Sequence, residues 1–248
     1  MRHGYTNHTI GNASSVKKTY QGPDSHLRLA REREILRLLH GRMPVPEIYA
    51  SRPDELTLQF LPGTHGQDLI EQGHARPVLR ACGRLLRALH DLSVTGLGLH
   101  ASPGQVLVHG DFGPNNVLLD PATFTVTALL DWEFAHVGDP IEDLAWCEWI
   151  IRAHHREHRD ALEEFFVGYD GDVPAWPERR AAMTTRCGQL QKFCQQREPH
   201  GPGRRCGLSA PPPRHGGRSN PRTARLGRAE SLRVLGNLFI MVEASTVP

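Results

Sequence analysis

His109-Gly110-Asp111-Phe112-Gly113-Pro114-Asn115-Asn116 and, shortly after, Leu129-Leu130-Asp131-Trp132-Glu133 gather an Asp, an Asn and a second Asp around one expected β-hairpin. That set suits metal-dependent phosphoryl transfer. One carboxylate, Asp111, can orient an acceptor hydroxyl and take its proton. The amide oxygen of Asn116 and the carboxylate of Asp131 can hold Mg²⁺ on the phosphates of a nucleotide. Asn116 lies five residues after Asp111, the spacing of Asp and Asn in a kinase catalytic loop. A hairpin whose Asp and Asn merely satisfy local backbone groups is the plain alternative. The three groups in this order, with strands between them, favour the transferase. His109 is expected to bond backbone and shape the loop, not to act as a base.

Further groups are needed on the nucleotide side. Lys18, on an expected strand, is the candidate for the α- and β-phosphates, with Glu32 on the next helix as its partner. Lys17 competes, but strand neighbours point to opposite faces, and Lys18 shares its face with Tyr20. Glu34 competes with Glu32, and the residues alone leave the Lys18–Glu32 pairing open. The run from Gly4 to Gly11 reads either as a turn over the nucleotide or as a plain terminus. It is not G-x-G-x-x-G, and no Walker A pattern occurs. Asp139 and Asp143 open a helix, where capping and the helix dipole favour carboxylates. Residues 139–172 carry ten acids against Arg152, Arg156 and Arg159. That surplus reads as a field for a cationic acceptor or as a solvated face.

These groups require positioning elements. Val16–Tyr20 and Glu55–Phe60 read as strands. Between them a helix capped by Ser25 runs to about Leu39, with Leu27, Ala30, Ile35, Leu38 and Leu39 at helical spacing. Met43-Pro44-Val45-Pro46 ends it. A helix over about Val78–Leu92 carries the stripe Leu79, Cys82, Leu85, Leu86 and Leu89. Short strands are expected at Val106–Val108, Val117–Leu119 and Phe124–Leu130, and helices over Glu142–Ala153, Arg159–Tyr169 and Glu178–Gln196. Leu61-Pro62-Gly63 serves as the connector between two lobes.

The chain of 248 residues can form two lobes around a cleft, and a net charge of +2 gives no push toward nucleic acid or an anionic membrane. Five scattered cysteines without metal-ligand spacing suggest reduced thiols in a cytoplasmic protein. The first residues lack the apolar run of a signal peptide, and Leu238–Val242 is too short to span a bilayer. Residues 199–248 hold eight arginines, no lysine and only Glu230 and Glu243 as acids. With Pro211-Pro212-Pro213 and repeated Gly-Arg steps, they read as a disordered or non-native tail. The expected division is a nucleotide-binding lobe over 1–60, a catalytic and acceptor-binding lobe over 61–198, and that tail. Oligomeric state is not legible.

His109-Gly110-Asp111 with Asn116, Leu130-Asp131-Trp132-Glu133, and Gly138-Asp139-Pro140 with Asp143-Leu144-Ala145 together resemble the aminoglycoside phosphotransferase and choline kinase-type family. The resemblance covers roughly residues 1–198. It implies an α+β, two-lobed protein-kinase-like fold, with a small β-rich N-lobe and a larger, mainly helical C-lobe. It implies an ATP- and Mg²⁺-dependent enzyme that phosphorylates a hydroxyl of a small molecule. By the resemblance Asp111 is the catalytic base, and Asn116 and Asp131 are the metal ligands. Met43-Pro44-Val45-Pro46 matches a segment that follows the family's helix Glu, which selects Glu32 and sets Lys18 on the family's strand Lys. Gln59, Phe60 and Leu61 become the hinge beside adenine. The chain departs from the family near Pro199, where helices that build the acceptor pocket are usual. The rival reading is a catalytically impaired kinase-fold module that binds nucleotide or a partner. A protein kinase is disfavoured by His-Gly-Asp in place of His-Arg-Asp and by the lack of an activation segment after Asp131.

Overall fold

The computed structural model describes residues 7–197. Described residues up to Arg186 form one compact unit, and a second begins at Cys187. The stretch 199–248, expected as a tail, lies outside the described residues, as does the start of the Gly4–Gly11 run.

The chain begins with a four-stranded antiparallel sheet. It is built from β1 (Asn7–Gly11), β2 (Ser15–Tyr20), β3 (Ile48–Ser51) and β4 (Glu55–Gln59), in the order β1-β2-β4-β3. Part of the Gly4–Gly11 run is thus an edge strand, and the turn falls just after it. There the Asn12 side-chain oxygen accepts from the amides of Ser14 and Ser15 and from the Ser14 hydroxyl, each at 2.9 Å. This local Asx-type closure explains why the hairpin needs no glycine triplet. Lys18 and Tyr20 are buried on one face of β2, and Leu56 and Leu58 on β4.

Helix α1 (Ser25–Leu39) packs against that sheet, with an inward face different from the one its apolar residues suggested. Its buried residues are Arg28, Leu29, Glu32, Ile35, Leu36 and Leu39, while Leu27 is exposed. The stripe is rotated because two charged residues find buried partners: Glu32 at Lys18 and Tyr20 on β2, and Arg28 at Glu133. Ser25 is not the cap. Asp24 precedes the helix in a left-handed conformation, φ 52°, with no side-chain cap bond. After α1 the proline-bounded segment leads back to the sheet, and the Pro44 carbonyl accepts from the Leu129 amide at 2.7 Å.

The second lobe contains β5 (Thr64–His65), α2 (Gly66–Glu71), α3 (Ala75–His90), β6 (Val106–Val108), β7 (Val117–Leu119), β8 (Val126–Leu129), β9 (His136–Gly138), α4 (Ile141–His154) and α5 (Leu162–Tyr169). Helix α6 (Trp176–Arg197) follows. The strands form two small sheets, β5-β7-β8 and β6-β9. The expected stripe on α3 is buried throughout. Gly83 and Gly168 let α3 and α5 approach at backbone distance, since a Cβ on Gly83 would overlap the Phe165 carbonyl and the Tyr169 amide. Two elements start later than expected. Strand β8 starts at Val126 because Phe124 takes φ 55°, and α5 is preceded by a 3-10 turn over Arg156–Ala161. Trp132, Phe112 and Phe165 are the largest fully buried side chains and centre the core of this lobe. Among the described residues no helix is long and apolar enough to cross a membrane, and Cys82 and Cys147 are buried free thiols.

Candidate active site

The His109–Asn116 segment leaves β6 as a loop braced from below. The Gly110 backbone has φ 79°, and a side chain there would run into the Phe134 carbonyl, so this position demands glycine. Asp143, fully buried on α4, accepts from the His109 amide at 2.7 Å, the Gly110 amide at 2.9 Å and His90 Nε2 at 3.3 Å. Its expected part at the helix start is therefore replaced by a long-range one. Burial opposes its charge, but the His90 bond and the neighbouring donors win and hold its carboxyl below the usual range. Asp139 keeps the capping geometry, accepting from the Ile141 amide at 2.9 Å. His109 acts as expected on backbone. Its Nε2 meets the Leu130 carbonyl at 2.9 Å, and its Nδ1 meets the Asp111 amide at 3.2 Å. Those partners fit the neutral Nε2–H tautomer, and burial lowers the imidazole pKa in the same direction.

Asp111 stands at the end of this brace. Trp146 Nε1–H donates to its Oδ1 at 2.8 Å, and Asn116 Nδ2–H donates to its Oδ2 at 3.1 Å and to its carbonyl at 2.8 Å. Burial, followed by the charge of Asp131, pushes the Asp111 carboxyl up to about 7; Arg186, Trp146 and Asn116 pull the other way. A carboxylate raised toward neutrality is a better proton acceptor from an alcohol than one at its ordinary value. With its amide nitrogen turned to Asp111, Asn116 keeps its amide oxygen for a cation. Arg186 donates to the Gly110 carbonyl and lies over the Phe134 and Trp146 rings.

The residues expected on the nucleotide side meet by charge. Lys18 Nζ is 2.5 Å from Glu32 Oε2 and 2.5 Å from Asp131 Oδ1. Tyr20 donates its hydroxyl to Glu32 Oε2 at 2.6 Å. Burial would lower the Lys18 pKa, yet Asp131 and Glu32 together outweigh it and hold the ammonium charged. Burial and the Glu32 charge keep the Tyr20 phenol protonated. Lys17 lies outside the cluster, 55% exposed beside Glu55, and Glu34 is exposed. Asp131 takes φ 69°, a left-handed backbone that Asp tolerates better than most residues, just beyond β8.

Lys18, Glu32, Gln59, Phe60, Leu61, Asn116 and Asp131 all line one cavity of about 230 Å³, walled by Val16, Leu58, Leu118 and Leu130. The structure thus brings together every residue the sequence singled out for nucleotide and metal, and Asn116 links that cavity to Asp111. The apolar walls suit a planar ring. The oxygen donors of Asn116 and Asp131 suit a hard divalent cation such as Mg²⁺.

Part of the acid-rich stretch is paired inside the fold, while Glu157, Asp160, Glu163, Asp170 and Asp172 are exposed. Glu148 is buried and paired with Arg152 at 2.7 Å and Arg179 at 2.6 Å, while Glu164 pairs with Arg80 at 2.6 Å. Sequence reasoning missed Tyr20, Trp146, Arg28 and Glu133 as members of the site. Arg28 offered a signal: it lies one helical turn before Glu32 and therefore on the same face.

A family profile described as the phosphotransferase enzyme family matches residues 8–103 and 96–182. Among solved structures, aminoglycoside-3′-phosphotransferase of type VIII aligns with a TM-score of 0.57 at 20% identity, over 73% of this chain and 93% of that one. The gentamicin complex of APH(2″)-IIa aligns at 0.58 and 13% identity, over 79% and 86%. Curated relatives match locally. Acyl-CoA dehydrogenase family member 10 of Mus musculus is 48% identical over 52 residues, 20% of this chain. Family member 11 of Gallus gallus is 43% identical over 42 residues, 17% of this chain. The chain spans about 5% of the length of these curated relatives. The solved structures share its fold, an α+β protein-kinase-like arrangement with a small β-rich lobe before a mainly helical one. With the profile matching well over half its length, the chain belongs to the phosphotransferase enzyme family.

Proposed function

We propose that this chain transfers the γ-phosphoryl group of ATP, with Mg²⁺, to a hydroxyl of a small molecule. The observation that supports this most is the meeting of Lys18, Glu32, Asn116 and Asp131 on one cavity, with Asn116 bonded directly to Asp111. In this reading Gln59, Phe60 and Leu61 flank the adenine, and Lys18, held by Glu32 and Tyr20, meets the α- and β-phosphates. Asn116 and Asp131 would hold Mg²⁺, which supplies charge neutralisation for the phosphates when bound. Asp111 receives the acceptor's hydroxyl proton as its oxygen bonds to the γ-phosphorus and the bond from that phosphorus to the ADP oxygen breaks. Trp146 and Asn116 fix the direction of the Asp111 carboxylate, so most of the rate comes from positioning and electrostatics. The solved streptomycin–ATP–APH(2″)-IIa complex, of the same fold, names ATP as that protein's nucleotide, which favours ATP here. We assign the protein to the cytoplasm on the same reading.

The test is ³¹P NMR of the full chain with ATP, Mg²⁺ and a panel of amino sugars, amino alcohols and hydroxy acids. Equal amounts of ADP and a phosphate monoester, formed only with Mg²⁺, are expected for one class. Tight binding of MgATP with no transfer to any hydroxyl compound would replace this reading by the nucleotide-binding module.

A further inference from the structure

A second set of contacts joins α1 to the segment after β8, beside the Lys18 bridge. Arg28 Nη1 is 2.6 Å from Glu133 Oε2, and Asn7 Nδ2 donates to the same oxygen at 2.7 Å. Arg28 also donates to the Asn7 side-chain oxygen at 3.1 Å. Arg31, further along α1, reaches the Glu133 carbonyl at 3.4 Å. Arg28 and Glu133 are both buried, at 2% and 0% exposure. The Arg28 guanidinium is held at its other edges by the Pro23 and Gln21 carbonyls, so its orientation is set by the chain entering α1.

The placement carries consequences. Arg28 and Glu32 share one face of α1, and Glu133 lies two residues after Asp131. The ligating oxygens of Glu32, Asp131 and Glu133 all lie within 4.8 Å of one another. Three carboxylates so close repel strongly unless cations separate them. Lys18 bridges Glu32 and Asp131; Arg28 takes Glu133. Without Arg28, the Glu133 carboxylate would lose its 2.6 Å guanidinium partner beside Asp131, and α1 would lose that ionic tie to the Asp131 turn.

We propose that Arg28, Asn7 and Glu133 form an interlobe latch that positions α1, and with it Glu32, against the Asp131 turn. This inference rests on the phosphotransferase reading above. Arg28 and Glu133 are positioning residues, outside the lining of the nucleotide cavity, whereas Asn7 also lines it. The latch joins the two halves of the site before nucleotide arrives, in a chain with no activation segment between Asp131 and α4 to do so. It also keeps Glu133 from competing with Asn116 and Asp131 for the cation.

The experiment uses the full chain and the variants Glu133→Gln, Arg28→Lys and the paired Arg28→Met/Glu133→Leu. The paired variant removes both charges and avoids leaving either buried alone, so a folded sample remains obtainable where a single change fails. Hydrogen exchange without ligand is read first, in variants whose circular dichroism matches the parent. Faster exchange in both Ser25–Leu39 and Leu130–Ala135 is expected, with α3 unchanged. Parent-like protection in either segment overturns the latch. Binding of N-methylanthraniloyl-ATP is then read with and without Mg²⁺. The variants should bind the Mg²⁺ complex about tenfold more weakly, with a smaller change for the metal-free nucleotide. Arg28→Lys should recover part of the loss, because it keeps the charge and loses the fork. Equal weakening with and without Mg²⁺ would mark a purely structural role and overturn the positioning claim. If the parent itself binds no MgATP, the phosphotransferase reading fails, and the exchange data alone decide the latch.

Discussion

The two halves of the candidate site are built on different physics. The Asp111 loop is held mainly by hydrogen bonds to backbone: Asp143 under the His109 and Gly110 amides, His109 against the Leu130 carbonyl, Asn116 against the Asp111 carbonyl. The nucleotide side is held by ions: Lys18 between Glu32 and Asp131, and Arg28 on Glu133. Backbone bracing fixes one geometry and leaves a single carboxylate to do chemistry. Ionic bracing ties together elements more than a hundred residues apart and is sensitive to any change in charge, including an arriving cation. The contrast implies that damage to the loop should appear in turnover or folding, and damage to the ionic half in nucleotide and metal affinity.

The sharpest separation should come from Asp111→Asn. Transfer is expected to fall by about 10²–10⁴-fold with MgATP affinity within about twofold of the parent. ADP release and nucleotide-analogue fluorescence measure the two, and a parallel loss of both would dissolve the distinction between halves. Next in size is Asp143→Ala, which strands the donors of His109, Gly110 and His90. We expect a loss of about 3 kcal/mol or more in unfolding free energy, read by denaturant titration. A loss below about 1 kcal/mol would mean that the loop is not braced from α4.

A pH series probes the same loop. The Asp111 carboxyl goes from 3.8 in an unstructured chain to about 7 in the fold. Between those values the folded chain binds the proton more tightly, so this group favours folding at low pH and loses that advantage as pH rises. In chelator, Asp111→Asn should therefore melt close to the parent near pH 4 and above it at pH 8. A melting difference that stays flat with pH would contradict the burial of that charge. The smallest effect belongs to the ionic half: Tyr20→Phe removes one bond to Glu32. It should cost about 1–2 kcal/mol of stability and weaken MgATP binding by less than about tenfold, with the maximal rate little changed. A large fall in maximal rate would show that Tyr20 serves the loop half instead.

The stretch from Asp111 to Asp131, which supplies the loop and one acid of the ionic half, was the legible one. Asp111, Asn116 and Asp131 stand within 21 residues, and hairpin geometry over so short a range leaves few ways to arrange them. The α3 stripe was legible too, because its burial is purely apolar. The α1 stripe was misread because hydrophobic periodicity has no term for a buried Arg28 or Glu32, whose burial depends on partners at 133 and 18. The short strands β1, β3, β5 and β9 went unread for a similar reason. Each has two to five residues, and pairing with another strand is what defines it.

By itself the sequence determined the chemistry on offer: the order and spacing of the oxygen donors, the glycine before Asp111, and the strand face shared by Lys18 and Tyr20. These are local properties, set by backbone sterics and by side-chain alternation over a few residues. Tertiary structure alone decided which of the remaining charges meet. The Lys18–Glu32 pair had already been selected by the family resemblance, but only the fold drew Asp143 away from its own helix end to brace the loop and put Arg28 on Glu133. Those choices were invisible in one dimension because an ion pair acts through space, and a buried charge is tolerable only where folding brings its partner.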